Sequence, residues 1–400
     1  MPSTVMRAIV IAGAALLASA LAAVPAVARP APAAPSLVQA ARGALAPAAL
    51  RSPAPSTSAA TGGILIGVDA VGPRSAWAVG AAGRDPTGTH SSKVLILRWN
   101  GTDWKRMPAP GFPDASAVMA VTSLSRSNAW AVGEDRGDFG GSWTGRKLIL
   151  HWNGHAWKQV PSPHPRNHAV LYSVAAVSAH DVWAVGETES QLPVIAHWNG
   201  ASWRNVSAPA GLFGGLVSVV AVAPDNVWAA GINGGDKPLV IHWNGNKWRQ
   251  VGSPARVGGL NSVTAISPRS VWAVGTRGLP PPSGTQHPVL SHWNGTKWTN
   301  VRSPVANGEL FTLARGSARS VWAVGGTGVF TRHARLVIAH WNGATWTQAS
   351  APRPAGVSLL FGASATSAGR AWAVGATAAG GTDATLILHW NGKAWKVMPS

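Results

Sequence analysis

Not one cysteine occurs among the 400 residues, which removes disulfides, thiolate metal sites and cysteine nucleophiles together. Acidic residues are scarce, 14 against 33 lysines and arginines, leaving a net charge of +19 that favours anionic partners by long-range attraction. There is a single tyrosine, Tyr172. Between Gly63 and Ser400 no stretch holds a helical hydrophobic period, and none is long and apolar enough to span a bilayer. Only Ala8–Val24 forms a long apolar run; it follows Arg7 and precedes the small-x-small site Ala26-Val27-Ala28. Residues 1–28 therefore read as a secretory signal peptide, with an uncleaved anchor as the competing reading. Residues 29–63, rich in Ala, Pro and Ser and free of acids, read as a flexible linker. The expected location is secreted, in reach of the cell envelope, with no transmembrane span once the signal is removed.

Tryptophan, by contrast, is abundant, and 21 of the 22 fall in register. W-A-[VA]-G begins at Trp77, Trp130, Trp183, Trp228, Trp272, Trp322 and Trp372. W-N-G follows at Trp99, Trp152, Trp198, Trp243, Trp293, Trp341 and Trp390, and a third tryptophan follows each time, from Trp104 to Trp395. Seven units of this kind declare an internal repeat. Unit four shows four short strand runs, A to D in order: Leu216–Ala223, Val227–Gly231, Leu239–Trp243 and Trp248–Val251. Pro-Asp-Asn and Asn-Gly turns separate them, which are hairpin signals. Seven units of four antiparallel strands predict an all-β, seven-bladed β-propeller over residues 64–400. A sheet this small cannot bury both faces alone, and flat indoles suit the wedge between neighbours. Ring closure stays open at this point: packing alone, or a strand added from Ser36–Leu50.

The order V-W-A-V-G, H-W-N-G-x-x-W, then V-P-S-P resembles the kelch repeat, although the kelch double glycine survives only at Gly325-Gly326. The W-N-G-x-x-W turn is also similar to the Asp-box of sialidase-like propellers, one residue short. The kelch resemblance raises galactose-oxidase-type copper chemistry. That chemistry implies a cysteine-crosslinked tyrosine and a second tyrosine, which this chain lacks. A sialidase-like site implies a Tyr–Glu pair and three converging arginines, and no arginine triad recurs at matching positions. The chain is therefore expected to be a non-catalytic binding module without cofactor or metal, with an extracellular glycosidase as the alternative. Expected partners are extracellular or envelope polysaccharide, other polyanions, or a protein, and not intracellular nucleic acid; the expected state is a monomer.

Candidate positions lie on the B–C and D–A loops, which differ between units while the A–B and C–D turns repeat. The B–C loop of blade 2 sets Glu134, Asp138, Phe139 and the out-of-register Trp143 among glycines, a set able to stack on a sugar; a solvated loop is the competing reading. The entry to blade 3 carries Arg166, His168 and Tyr172. Eleven residues before each W-A-x-G stand Ile66, Met119, Tyr172, Val217, Asn261, Phe311 and Phe361, expected at the mouth of the central channel or as rim packing. Asp69 and Arg315 place charge on innermost strands and need partners or water. Blade 6 adds Arg332 and Arg335, suited to an anion. The histidine before six of the W-N-G motifs sits in six separate blades, so these six read as packing residues and not as a metal site.

Overall fold

The computed structural model describes residues 62–82, 93–112, 116–135, 145–163, 168–234, 237–252, 258–278, 285–329, 331, 333–379 and 382–400. Residues 1–61, which hold the expected signal peptide and all but the last two residues of the expected linker, lie outside this set. The described residues form seven four-stranded antiparallel sheets with no helix. Each sheet takes four consecutive strands, A to D, so the protein is a seven-bladed β-propeller. In blade 4 the strands are Gly214–Ala223, Asn226–Asn233, Pro238–Trp243 and Trp248–Gln250, within a few residues of the sequence expectation.

Indoles hold the blades together. The W-A-x-G tryptophan of each blade packs against the other two tryptophans of the next. Trp77 lies 4.9 Å from Trp152 and 5.0 Å from Trp157, both edge-to-face. Such pairs add to the area they bury. The glycine three residues on is required because a Cβ at Gly80 would collide with the carbonyl oxygen of Ile64. In blade 1 Arg98 replaces the repeated histidine and stands 5.1 Å over both Trp77 and Trp152.

Among the described residues the circle closes without a borrowed strand; Ser36–Leu50 lie outside them. Trp372 of blade 7 meets Trp99 and Trp104 of blade 1 at 5.0 and 5.1 Å, the same contact as at the other seams. Gly62 forms a bridge with Ala384 of blade 7. Nearer the axis, Asp69 spans three blades. Its Oδ1 accepts from the Ser364 hydroxyl of blade 7 at 2.9 Å, and its Oδ2 from the Ser123 amide of blade 2 at 2.7 Å. Other seams use hydroxyls at a matching depth. The amides of Val219, Val263 and Leu313 donate to Ser173, Ser218 and Ser262, each at 3.1 Å, and Thr312 donates to the Phe361 carbonyl.

Candidate binding face

The two ends of the propeller are built differently. Every A–B turn is two residues long and every C–D turn is four. In each C–D turn the W-N-G asparagine accepts from two backbone amides through Oδ1, as Asn244 does from Asn246 and Lys247. The W-N-G indoles then tie this end to the A–B turns: Trp243 donates to the Pro224 carbonyl and Trp390 to that of Ala368, both at 3.1 Å. At the opposite end the strand bounds leave B–C connections of two to ten residues, and D–A connections of eight to ten. Length variation is thus concentrated in the B–C set, while the D–A loops differ mainly in sequence.

Glu134 is not a loop residue. The second strand of blade 2 runs on to Asp135, because Ala117 and Lys147 flank Glu134 in the ladder and give its backbone partners on both sides. Glu134 and Asp135 are buried, and Asp135 accepts from Ser116 and sits opposite Arg146. Asp138, Phe139 and Trp143 lie outside the described residues, as do Arg166 and Arg332. His168 is described; its Nδ1 stands 3.6 Å from Glu189 Oε2. The repeated histidines each stay within their own blade. His197 lies 2.8 Å from Asp181 and stacks on Trp183, and His292 bonds Ser270 at 2.9 Å. Burial pushes the pKa of His151, His242, His292, His340 and His389 down, so they remain neutral packing groups.

All seven residues of the ring position line one central cavity of about 470 Å³. Tyr172, Asn261 and Phe311 are buried in its wall, and Phe311 packs on Phe361 at 5.8 Å. The Asn261 amide donates to the Leu310 carbonyl across the seam. Asp69 and Arg315 also line this cavity, but no ion pair among the described residues joins them. Asp69 is held by seam hydrogen bonds, and Arg315 is exposed near the end of its strand. Burial raises the Asp69 pKa to about 6, against the pull of hydrogen bonds from Ser123, Ser364 and Ala70.

Two grooves open on the variable end, on consecutive blades and at matching places in the repeat. The first, about 550 Å³, is lined by Arg277, His287 and Arg302 of blade 5. The second, about 1190 Å³, is lined by Arg335 and Arg353 and reaches from blade 6 to blade 7. Among the described residues no carboxylate lines either groove. His287 and Arg335 hold the same register, opposite the fifth residue after the W-A-x-G tryptophan. That register carries Lys93 in blade 1, Arg146 in blade 2 and Lys237 in blade 4. Blades 3 and 7 carry Leu192 and Ala384 there. Five of seven blades thus present a basic residue at one place on the variable end. Only Arg146 has an acid, Asp135, directly across the ladder. Sequence reading found Arg335 and missed the set.

No protein-family model matches the chain, and no curated protein matches its sequence. Solved structures do match. YCF48 bound to D1 peptide superposes over 82% of this chain and 92% of that one, at 14% identity and a TM-score of 0.54. YCF48 from Cyanidioschyzon merolae covers 82% and 96%, at 16% identity and 0.52. The BP39L lectin from Burkholderia pseudomallei covers 84% and 98%, at 16% identity and 0.53. The likeness is one of fold. The kelch resemblance of the repeat gains no family match from these comparisons.

Proposed function

We propose that this protein is an exported, non-catalytic propeller, kelch-like in its repeat, that binds anionic polymers of the cell envelope through its variable end. The carrying observation is the basic register, Lys93, Arg146, Lys237, His287 and Arg335, with two grooves on blades 5 and 6 that hold arginines and no carboxylate among the described residues. Lysines and arginines clustered at one end attract polyanions and fix them by charge-assisted hydrogen bonds. A seven-bladed scaffold joined by indoles at every seam keeps such a surface in shape, so little ordering cost falls on binding. The placement of Glu134, Asp135 and Glu187 in buried strand positions takes three carboxylates off the exposed surface, which supports binding over hydrolysis. Propellers of this fold include a lectin and a protein bound to a peptide, in keeping with a binding role.

The test is titration of the secreted protein with polyphosphate and polygalacturonate at low and high salt. Affinity should fall steeply with salt, since exposed charge pairs are screened within about 10 Å at 0.1 M. Replacing Arg277, Arg335 and Arg353 together by serine should lower affinity at least tenfold and flatten the salt dependence. Replacing Lys105, Lys158 and Lys396 on the outermost strands removes the same charge from elsewhere, and should change affinity less than threefold. Equal losses from the two triple variants would leave only net charge and overturn the assignment of the face.

A further inference from the structure

Four large apolar side chains are well exposed among the described residues: Val71, Leu192, Phe213 and Val397. Val71 adjoins an A–B turn and Val397 lies on an outermost strand. Leu192 and Phe213, each 47% exposed, are both on the variable end, one on each side of the seam between blades 3 and 4. The Gly214 amide donates to the Gln191 carbonyl at 2.8 Å, which puts the residues after Gln191 and before Gly214 side by side. Leu192 occupies in blade 3 the register that is basic in five other blades.

Both residues are held by backbone hydrogen bonds. Leu192 closes a tight turn in which the Thr188 amide donates to its carbonyl at 2.9 Å, and its own amide donates to Thr188 Oγ1 at 3.1 Å. Gln191 in that turn has φ of 59°, left-handed backbone in a non-glycine residue. The Phe213 ring lies against Gly234, where any Cβ would overlap it, and the Gly234 amide donates to the Phe213 carbonyl at 3.1 Å. A bare glycine thus backs the ring while nearly half of Phe213 stays open to solvent. In the turn that Leu192 closes, Glu189 exposes its carboxylate 3.6 Å from the His168 ring, and Lys237, whose carbonyl accepts from the Asn233 amide next to Gly234, holds the basic register of blade 4.

We propose that Leu192 and Phe213 form a stacking platform for a sugar ring, so that the polymer bound at this end is an acidic polysaccharide. This rests on the anionic-polymer reading above. The C–H face of a pyranose carries slight positive charge and matches the negative face of an aromatic ring. Hydroxyls at its edge donate to a carboxylate such as Glu189, which accepts only. The acidic groups of the polymer then meet Lys237 and the arginine grooves. Two side chains are too small a patch for a protein partner, whose interface takes roughly 800 Å² on each side.

The experiment measures affinity for polygalacturonate, polyphosphate and single-stranded DNA with Phe213→Ala, Leu192→Ser and Phe213→Tyr. Both side chains are exposed, so melting temperatures should match the parent. Phe213→Ala and Leu192→Ser should weaken polygalacturonate at least tenfold, Phe213→Tyr should restore it, and polyphosphate should stay within twofold. Unchanged polygalacturonate binding overturns the platform, and so does a larger loss on single-stranded DNA, which stacks bases on aromatic rings instead. If the parent binds no polyphosphate yet polygalacturonate still depends on Phe213, the charge reading fails and the platform stands.

Discussion

Glu309 occupies a position where the other blades carry Ile64, Ala117, Val170, Gly215, Gly259 and Leu359. It is fully buried, and neither carboxylate oxygen has a well-formed hydrogen bond. Burial raises its pKa to about 8; nearby Gln286 and Thr276 favour the ionised form in part without making bonds of good geometry. At neutral pH Glu309 is therefore a protonated acid, flanked by the residues that precede His287 and Arg277 of the blade 5 groove. The folded state keeps this proton after the unfolded chain has released it near the ordinary pKa of 4.5. Its contribution to stability is complete below pH 4.5 and is lost as pH rises towards 8. Glu309→Gln keeps the shape and removes the titration. The variant should match the parent at pH 4, then gain on it by about 4 kcal/mol by pH 8. Denaturant titrations across that range measure the gap, and parallel curves would show that Glu309 does not titrate as described.

At the scale of strands and turns, the W-N-G corner shows why one end of the molecule is uniform. Asn244 accepts from two amides, and Gly245 takes φ of 89°, a left-handed conformation that a Cβ resists. Asn244→Ala should cost about 1 kcal/mol, because the freed amides reach water, while Asn244→Asp keeps the accepting oxygen and should be near neutral by thermal unfolding. An equal loss for both would point to the amide nitrogen and not to the carbonyl oxygen. Corners of this kind are legible in a single sequence because all their parts lie within six residues. The basic register is not. Its residues fall from 9 to 16 positions after the W-A-x-G tryptophan, since B–C connections differ in length, and only strand pairing aligns Lys93 with Arg335. For the same reason Glu134 reads as a loop residue beside glycines, although Ala117 and Lys147 pair with it on either side and Arg146 continues the ladder past it. Phe213 and Leu192 belong to different blades, and their meeting depends on a backbone bond between Gly214 and Gln191 that no local pattern announces.

The whole ring depends on seven seams made alike, including the one that joins the last blade to the first. Trp372 meets Trp99 and Trp104 at 5.0 and 5.1 Å, and Trp183 meets Trp243 and Trp248 at 5.0 and 5.4 Å. Both central indoles are almost fully buried. Trp372 additionally sits at the seam where Asp69 binds Ser364 and Gly62 bridges Ala384. A ring that closes by packing has no privileged joint, because opening any one seam exposes the same indole faces. Removing either tryptophan deletes a large side chain and leaves a cavity, at about 3 to 5 kcal/mol. Trp372→Ala and Trp183→Ala should therefore lower stability by the same amount within about 1 kcal/mol, and each variant should still unfold in one transition. Paired denaturant melts followed by tryptophan fluorescence measure this. A much smaller loss from Trp372→Ala would mean that the closing seam is already loose in solution. A separate early transition would mean that blades 7 and 1 part before the rest, and in either case the equivalence of the seams would fail.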